Sequence, residues 1–176
     1  MSKNNYWLIV LIICLAALSR LMKHPFNFTP IIAMSVFTGF YLRKWWGILI
    51  PLLAMVVSDY FIGFYSLPLM LSVYIGIACA YFLSWAVIRQ LKWYGVLATS
   101  LLSSIIFFII TNFVVWQFTS WYPHNWAGLV NCFTLALPFF RNSLVGDLIY
   151  VTVAFLVYKL ANDYVVAKLT VKKTVS

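Results

Sequence analysis

The chain has 176 residues, of which 65% are hydrophobic and 9% charged, and a mean hydropathy of +0.98. A soluble domain carries about 25% charged residues, so this composition excludes one and predicts an all-α integral membrane protein. The net charge of +9 comes from basic residues scattered singly and in pairs. That pattern orients helices in a membrane and excludes a nucleic-acid-binding surface.

The alternating ten-residue segments of a transmembrane barrel are missing. The length allows one domain, residues 1–176, with about six spans of ~20 residues. In chain order the apolar runs predict spans at 6–22, 30–42, 47–64, 69–88, 95–117 and 142–158. The first is not expected to be a cleaved signal, because Arg20 follows its apolar run and no small-x-small site does. The second run reaches only about 20 Å, short of the ~30 Å hydrocarbon layer. Either the residues before Pro30 lie within the membrane, or the run enters a thinned or protein-lined region. The apolar piece 127–140 contains Pro138 and is too short to cross, so it is expected to be a re-entrant or interfacial helix between spans 5 and 6. Small residues four apart, Ser35 with Gly39, Ala54 with Ser58 and Gly76 with Ala80, permit close helix approach.

Orientation follows from counting cations. With the N-terminus inside, nine of the twelve Lys and Arg residues fall on the inner side and three on the outer. Both termini are therefore expected in the cytoplasm of a multi-pass protein of the bacterial inner membrane. The outer side then holds two polar breaks, one from Arg20 to Pro30 and one from Thr119 to Trp126.

Those breaks and the spans beside them supply the candidate binding residues: Arg20, His24, Asn27, Thr29, Asp59, Asn112, His124, Asn131, Arg141 and Asp147. Asp59 and Asp147 lie within spans, where a bare charge costs several kcal/mol. Arg20 and Arg141 are their natural partners. Such pairs form either the polar floor of an outward-facing pocket or ion bridges that lock the spans together. His24 and His124 lack the ligand spacing of a metal site, and hydrogen bonds to the loops are the simpler role. Neither a metal nor a cofactor is expected. The three cysteines, Cys14, Cys79 and Cys132, form no pair or Cys-His cluster. No nucleophile motif and no ATP-binding loop is present, so an enzyme is not expected.

Several motifs together carry a resemblance that spans almost the whole chain. They are Arg20-x-x-x-His24-Pro-x-Asn27-Phe-Thr-Pro30-x-x-Ala33, the Pro51 to Asp59 run, Thr111-Asn-Phe, Tyr122-Pro, Gly128-Leu and Leu137-Pro-Phe-Phe-Arg-Asn-Ser. In them the chain resembles a family of small bacterial membrane proteins that is itself similar to the substrate-binding S components of energy-coupling-factor (ECF) vitamin transporters. The resemblance implies six helices, cytoplasmic termini and a pocket near the outer face for a small vitamin-like molecule, cobalamin or a related compound among the candidates. It also implies uptake either alone or with an ATP-driven ECF energising module. Span 1 carries Ala16-Ala17 rather than the Ala-x-x-x-Ala spacing with which many S components dock on that module. No motif around Cys79 or Cys132 matches the thiolate that ligates cobalt in some solitary relatives. The alternative is a non-transporting membrane scaffold or assembly protein, in which the polar breaks contact partners. In the uptake reading, residues 122–141 fold over the mouth of the pocket.

Overall fold

The protein is described from a computed structural model covering residues 10–12, 14, 15, 18, 29–87 and 92–174, with side chains as far as residue 164. Every secondary-structure element among these is helical. They are α1 (Ile31–Leu42), a 3₁₀ turn (Trp45–Ile48), α2 (Leu49–Ile62), α3 (Leu67–Val87), α4 (Trp93–Phe118) and α5 (Trp126–Thr174). The described residues between 10 and 18 are helical as well. Helices α1 to α4 begin and end within two residues of the expected spans.

The surface is that of a membrane protein. Leu53, Phe61, Ile75, Phe82, Leu102, Ile109, Leu135 and Val153 face outward, while Ser58, Asp59, Ser72, Ser84, Ser100, Ser103, Ser104 and Asp147 are buried. Lipid rewards that inversion, because an unpaired polar group in hydrocarbon costs several kcal/mol. Four helical segments, Trp45–Ile62, Leu67–Val87, Trp93–Phe118 and Trp126–Tyr164, are long and apolar enough to cross.

Helix α1 lies at the centre. It contacts α2, α3, α4 and α5, and ten of its twelve residues are buried. Its shortness, about 18 Å at 1.5 Å per residue, is tolerable because protein rather than lipid surrounds it. That agrees with the protein-lined alternative; residues 26–28, on which the other rests, lie outside the described residues. Ser35 and Thr38 donate to carbonyls of their own helix, at 3.0 Å to Ile31 O and 2.8 Å to Met34 O. Their hydroxyls therefore need no outside partner.

Close approach to α3 occurs at Gly39. A methyl group there would lie 2.5 Å from the Tyr81 carbonyl oxygen and 3.0 Å from Ser84 Cβ. Beside it, Ser84 Oγ donates to Val36 O at 2.6 Å. Towards the C-terminal end of α1, Tyr41 packs on Tyr158 at a tilt of 45° with centroids 4.0 Å apart, and Phe37 meets Phe155 edge-on at 5.4 Å. Arg43 then adopts a left-handed conformation, φ 46°, that ends the helix. Tyr81 Oη reaches back to Lys44 O at 2.6 Å and pins the turn.

Helix α5 departs from expectation. Residues 127–140 do not form a separate re-entrant element; they are the first part of one helix that continues through Pro138 to Thr174. Phe133 and Phe140 both pack on Phe108 of α4, at 5.5 and 4.5 Å between centroids. The two halves of α5 are thus tied to one neighbour across the proline, which offsets the hydrogen bond Pro138 removes. Asn125 starts the helix by accepting the Gly128 N–H at 2.8 Å with its side-chain oxygen.

The contact at Gly39 gives a direct test. Gly39→Ala is expected to destabilise the protein by about 1–3 kcal/mol, seen as a lower melting temperature in detergent. Gly95→Ala, where an added methyl meets nothing within 4 Å, leaves the melting temperature unchanged or slightly raised.

Candidate functional site

Because α1 starts only at Ile31, the longer helices around it run on past its N-terminal end and leave space there. A cavity of about 380 Å³ occupies it. The start of α1 contributes Thr29 and Ile31, α2 Met55, the following turn Tyr65, and α3 Val73. Helix α4 contributes Ser104, Phe107, Phe108, Thr111, Asn112 and Val115, and α5 contributes Ala136, Phe139, Phe140 and Ser143. A second cavity of about 210 Å³ lies among Ile12, Leu15, α1 and α5, and its walls are almost wholly apolar.

Four polar groups of the larger cavity are fixed by bonds within the protein. Thr111 Oγ1 donates to Phe107 O at 2.8 Å, and Asn112 Nδ2 donates to Phe108 O at 2.8 Å. Ser104 Oγ donates to the carboxylate of Asp147 at 2.7 Å, and the Ser143 hydroxyl also bonds it. Ser143 precedes Asp147 by one helical turn, so both lie on the same face of α5. Asp147 is 1% exposed and sits behind these two serines. Asp59, equally buried, lies one turn after Met55 on α2 and accepts a hydrogen bond from Tyr74 Oη at 3.2 Å.

The sequence-derived site residues divide into three groups. Thr29 and Asn112 line the cavity, and Asp59 and Asp147 are buried beside it. Arg20, His24 and Asn27 lie outside the described residues, and so does any Asp59–Arg20 contact. The others are exposed and stand apart from the cavity wall. His124 rests in the loop before α5, its Nε2 3.3 Å from Thr119 O. Asn131 and Arg141 point away from the bundle. Arg141 partners neither aspartate, correcting the expected pairing. It precedes Asp147 by six residues, a rotation of about 240° around the helix.

Of the segment expected to fold over the mouth, Ala136, Phe139 and Phe140 line the cavity; His24 and Asn27, which it was expected to approach, lie outside the described residues. Sequence reasoning missed Ser104, Ser143, Thr111 and the phenylalanines. A signal for the first was present: Thr99, Ser100, Ser103 and Ser104 form one buried polar stripe on α4.

The fold and cavity define a helical membrane protein with a partly polar, half-open cavity in an apolar bundle. By the match of its residues 1–169, the chain belongs to a family of unknown function, DUF6580. No curated protein and no solved structure matches it.

Two serines one turn apart test the description of the chamber. Ser104→Ala removes a hydroxyl that holds a buried carboxylate and is expected to cost about 1–3 kcal/mol. Ser100 Oγ is buried without a hydrogen-bond partner, so Ser100→Ala leaves stability unchanged or raises it. Thermal melts of the two variants check the contrast; equal losses contradict it.

Proposed function

We propose that the protein is a membrane solute-binding protein that takes up a compact, vitamin-like molecule across a bacterial cytoplasmic membrane. The observation that carries this reading is the cavity of about 380 Å³, with hydroxyl, amide and aromatic groups converging inside an otherwise apolar bundle. Ligand sites are characteristically mostly apolar with a few placed polar groups, and span about 300–1,000 Å³. This one lies towards the small end, which favours a compact solute over a corrinoid such as cobalamin. An assembly or scaffold role does not call for such a chamber.

The cavity lies at the end of the bundle where α1, α3 and α5 begin and α2 and α4 end. The distribution of cations supports placing that end outside and both termini in the cytoplasm. The resemblance to ECF S components supports a cycle in which the solute enters from outside and a rearrangement of the helices releases it inward. It operates alone or with an ATP-driven energising module. Lacking the Ala-x-x-x-Ala spacing in its first span, the protein is read here as needing a different docking surface if it uses such a module.

Native mass spectrometry of protein purified from its own membranes tests the reading. The wild type is expected to carry a small non-lipid molecule. Ala136→Phe, which fills the cavity, is expected to lose it while keeping its unliganded melting temperature. Retention of the same molecule by that variant places the binding elsewhere. Absence of any such molecule, together with no thermal stabilisation by a panel of water-soluble vitamins and their precursors, contradicts the proposal.

A further inference from the structure

Of the six polar side chains that line the cavity, Thr29 and Tyr65 stand at its edge and the other four give a proton to the protein. Ser104 and Ser143 bond the Asp147 carboxylate, Thr111 donates to Phe107 O, and Asn112 spends an amide proton on Phe108 O. What these groups have left for a ligand is mainly oxygen lone pairs. Behind two of them stands a carboxylate that is 1% exposed and whose partners are hydroxyls. Among the described residues no Lys, Arg or His lines the cavity or contacts Asp147. A buried carboxylate without a cation is costly in a low-dielectric interior. A positive charge in the cavity favours the ionised form of this carboxyl, and a negative one opposes it.

The apolar wall combines Ile31, Met55, Val73, Val115 and Ala136 with four phenylalanines. Phe107, Phe108, Phe139 and Phe140 line the chamber, and the rings of Phe108 and Phe140 lie 4.5 Å apart with a tilt of 34°. Ring faces accept both a flat ring and a positive charge.

Acceptor lone pairs, a buried carboxylate and ring faces favour a ligand that donates protons, carries positive charge and is flat. An anionic solute would meet the Asp147 carboxylate as a like charge. We propose that the solute of this cavity is a small aromatic or heteroaromatic cation, its N–H donors directed towards Ser104, Ser143 and, behind them, Asp147. The proposal rests on reading the cavity as a solute site and specifies the chemistry that site selects.

Three probes of matched size separate the charge preference from the existence of the site: benzylammonium, benzyl alcohol and benzoate. Binding to the purified protein in detergent at neutral pH is followed by calorimetry. Benzylammonium is expected to bind more tightly than benzyl alcohol by roughly tenfold or more, the increment of a charge-assisted hydrogen bond. Benzoate is expected to bind most weakly. Asp147→Asn keeps size and one acceptor, and is expected to abolish the preference for benzylammonium while leaving benzyl alcohol binding unchanged. Should that variant fold poorly, Ser104→Ala combined with Ser143→Ala is expected to narrow the preference. Equal affinity for the amine and the alcohol, or a preference that survives Asp147→Asn, overturns the proposal and leaves the cavity as a solute site. Failure of all three rings to bind overturns the proposal, while the solute-site reading stands or falls on the co-purified molecule. Stabilisation by sodium chloride but not by choline chloride, with no response to the amine, assigns Asp147 and the unpartnered hydroxyls of Ser100 and Ser103 to an inorganic ion. That result also overturns the proposal.

Discussion

Enclosure of a short helix by longer ones is the constraint from which the remaining architecture follows. Helix α1 has twelve residues and cannot cross the hydrocarbon layer alone. In a bilayer, backbone that stops short needs protein around it, because lipid offers no hydrogen bonds to its ends. The surrounding helices supply that shield. Gly39 lets α3 approach closely, Ser84 bonds across to Val36 O, and Phe37 and Tyr41 meet Phe155 and Tyr158 at the other end of α1. The same arrangement creates the chamber. Where α1 stops, α4 and α5 continue, and the space between them is walled by their inward faces.

That geometry also explains the polar residues of the interior. Lipid-facing positions on α4 are Leu, Ile and Phe, while its buried stripe is Thr99, Ser100, Ser103 and Ser104. Small hydroxylic residues permit close packing and can satisfy themselves on helix carbonyls. Ser104 does more, because its hydroxyl reaches Asp147 on the neighbouring helix. The carboxylate is thereby held at the edge of the cavity without being bare. Asp59 occupies a comparable position on the α2 side, held by Tyr74. Two buried carboxylates are thus held by residues of neighbouring helices.

Much of the fold was legible in the sequence because lipid imposes a simple rule. An apolar run long enough to cross becomes a helix, and α1 to α4 followed it within two residues. Pro138 misled because its local cost is visible in sequence, whereas the packing of Phe133 and Phe140 on Phe108 is not. The candidate site was legible only in part. Charged and amide residues stand out in an oily chain, which is how Asp147 and Asn112 were found. Arg141, Asn131 and His124 stand out equally, yet they lie on the outer surface. Which face of a helix a residue occupies depends on neighbours that one chain read in isolation does not specify. Ser104 drew no attention because serine is common at helix contacts, and Ser143 entered only as the last residue of a motif.

Water access to the chamber bears most directly on the central claim, a solute cavity within the membrane-embedded bundle. In a variant with Cys14, Cys79 and Cys132 replaced by serine or alanine, single cysteines at Thr111 and Ile109 sit two residues apart on α4. The first lines the cavity, and the second faces outward at 50% exposure. Reaction with a small, membrane-impermeant thiol reagent added to intact cells is expected to be rapid for Thr111→Cys and negligible for Ile109→Cys. Equal reactivity at the two positions, or no reaction at Thr111→Cys from either side of the membrane, contradicts the account.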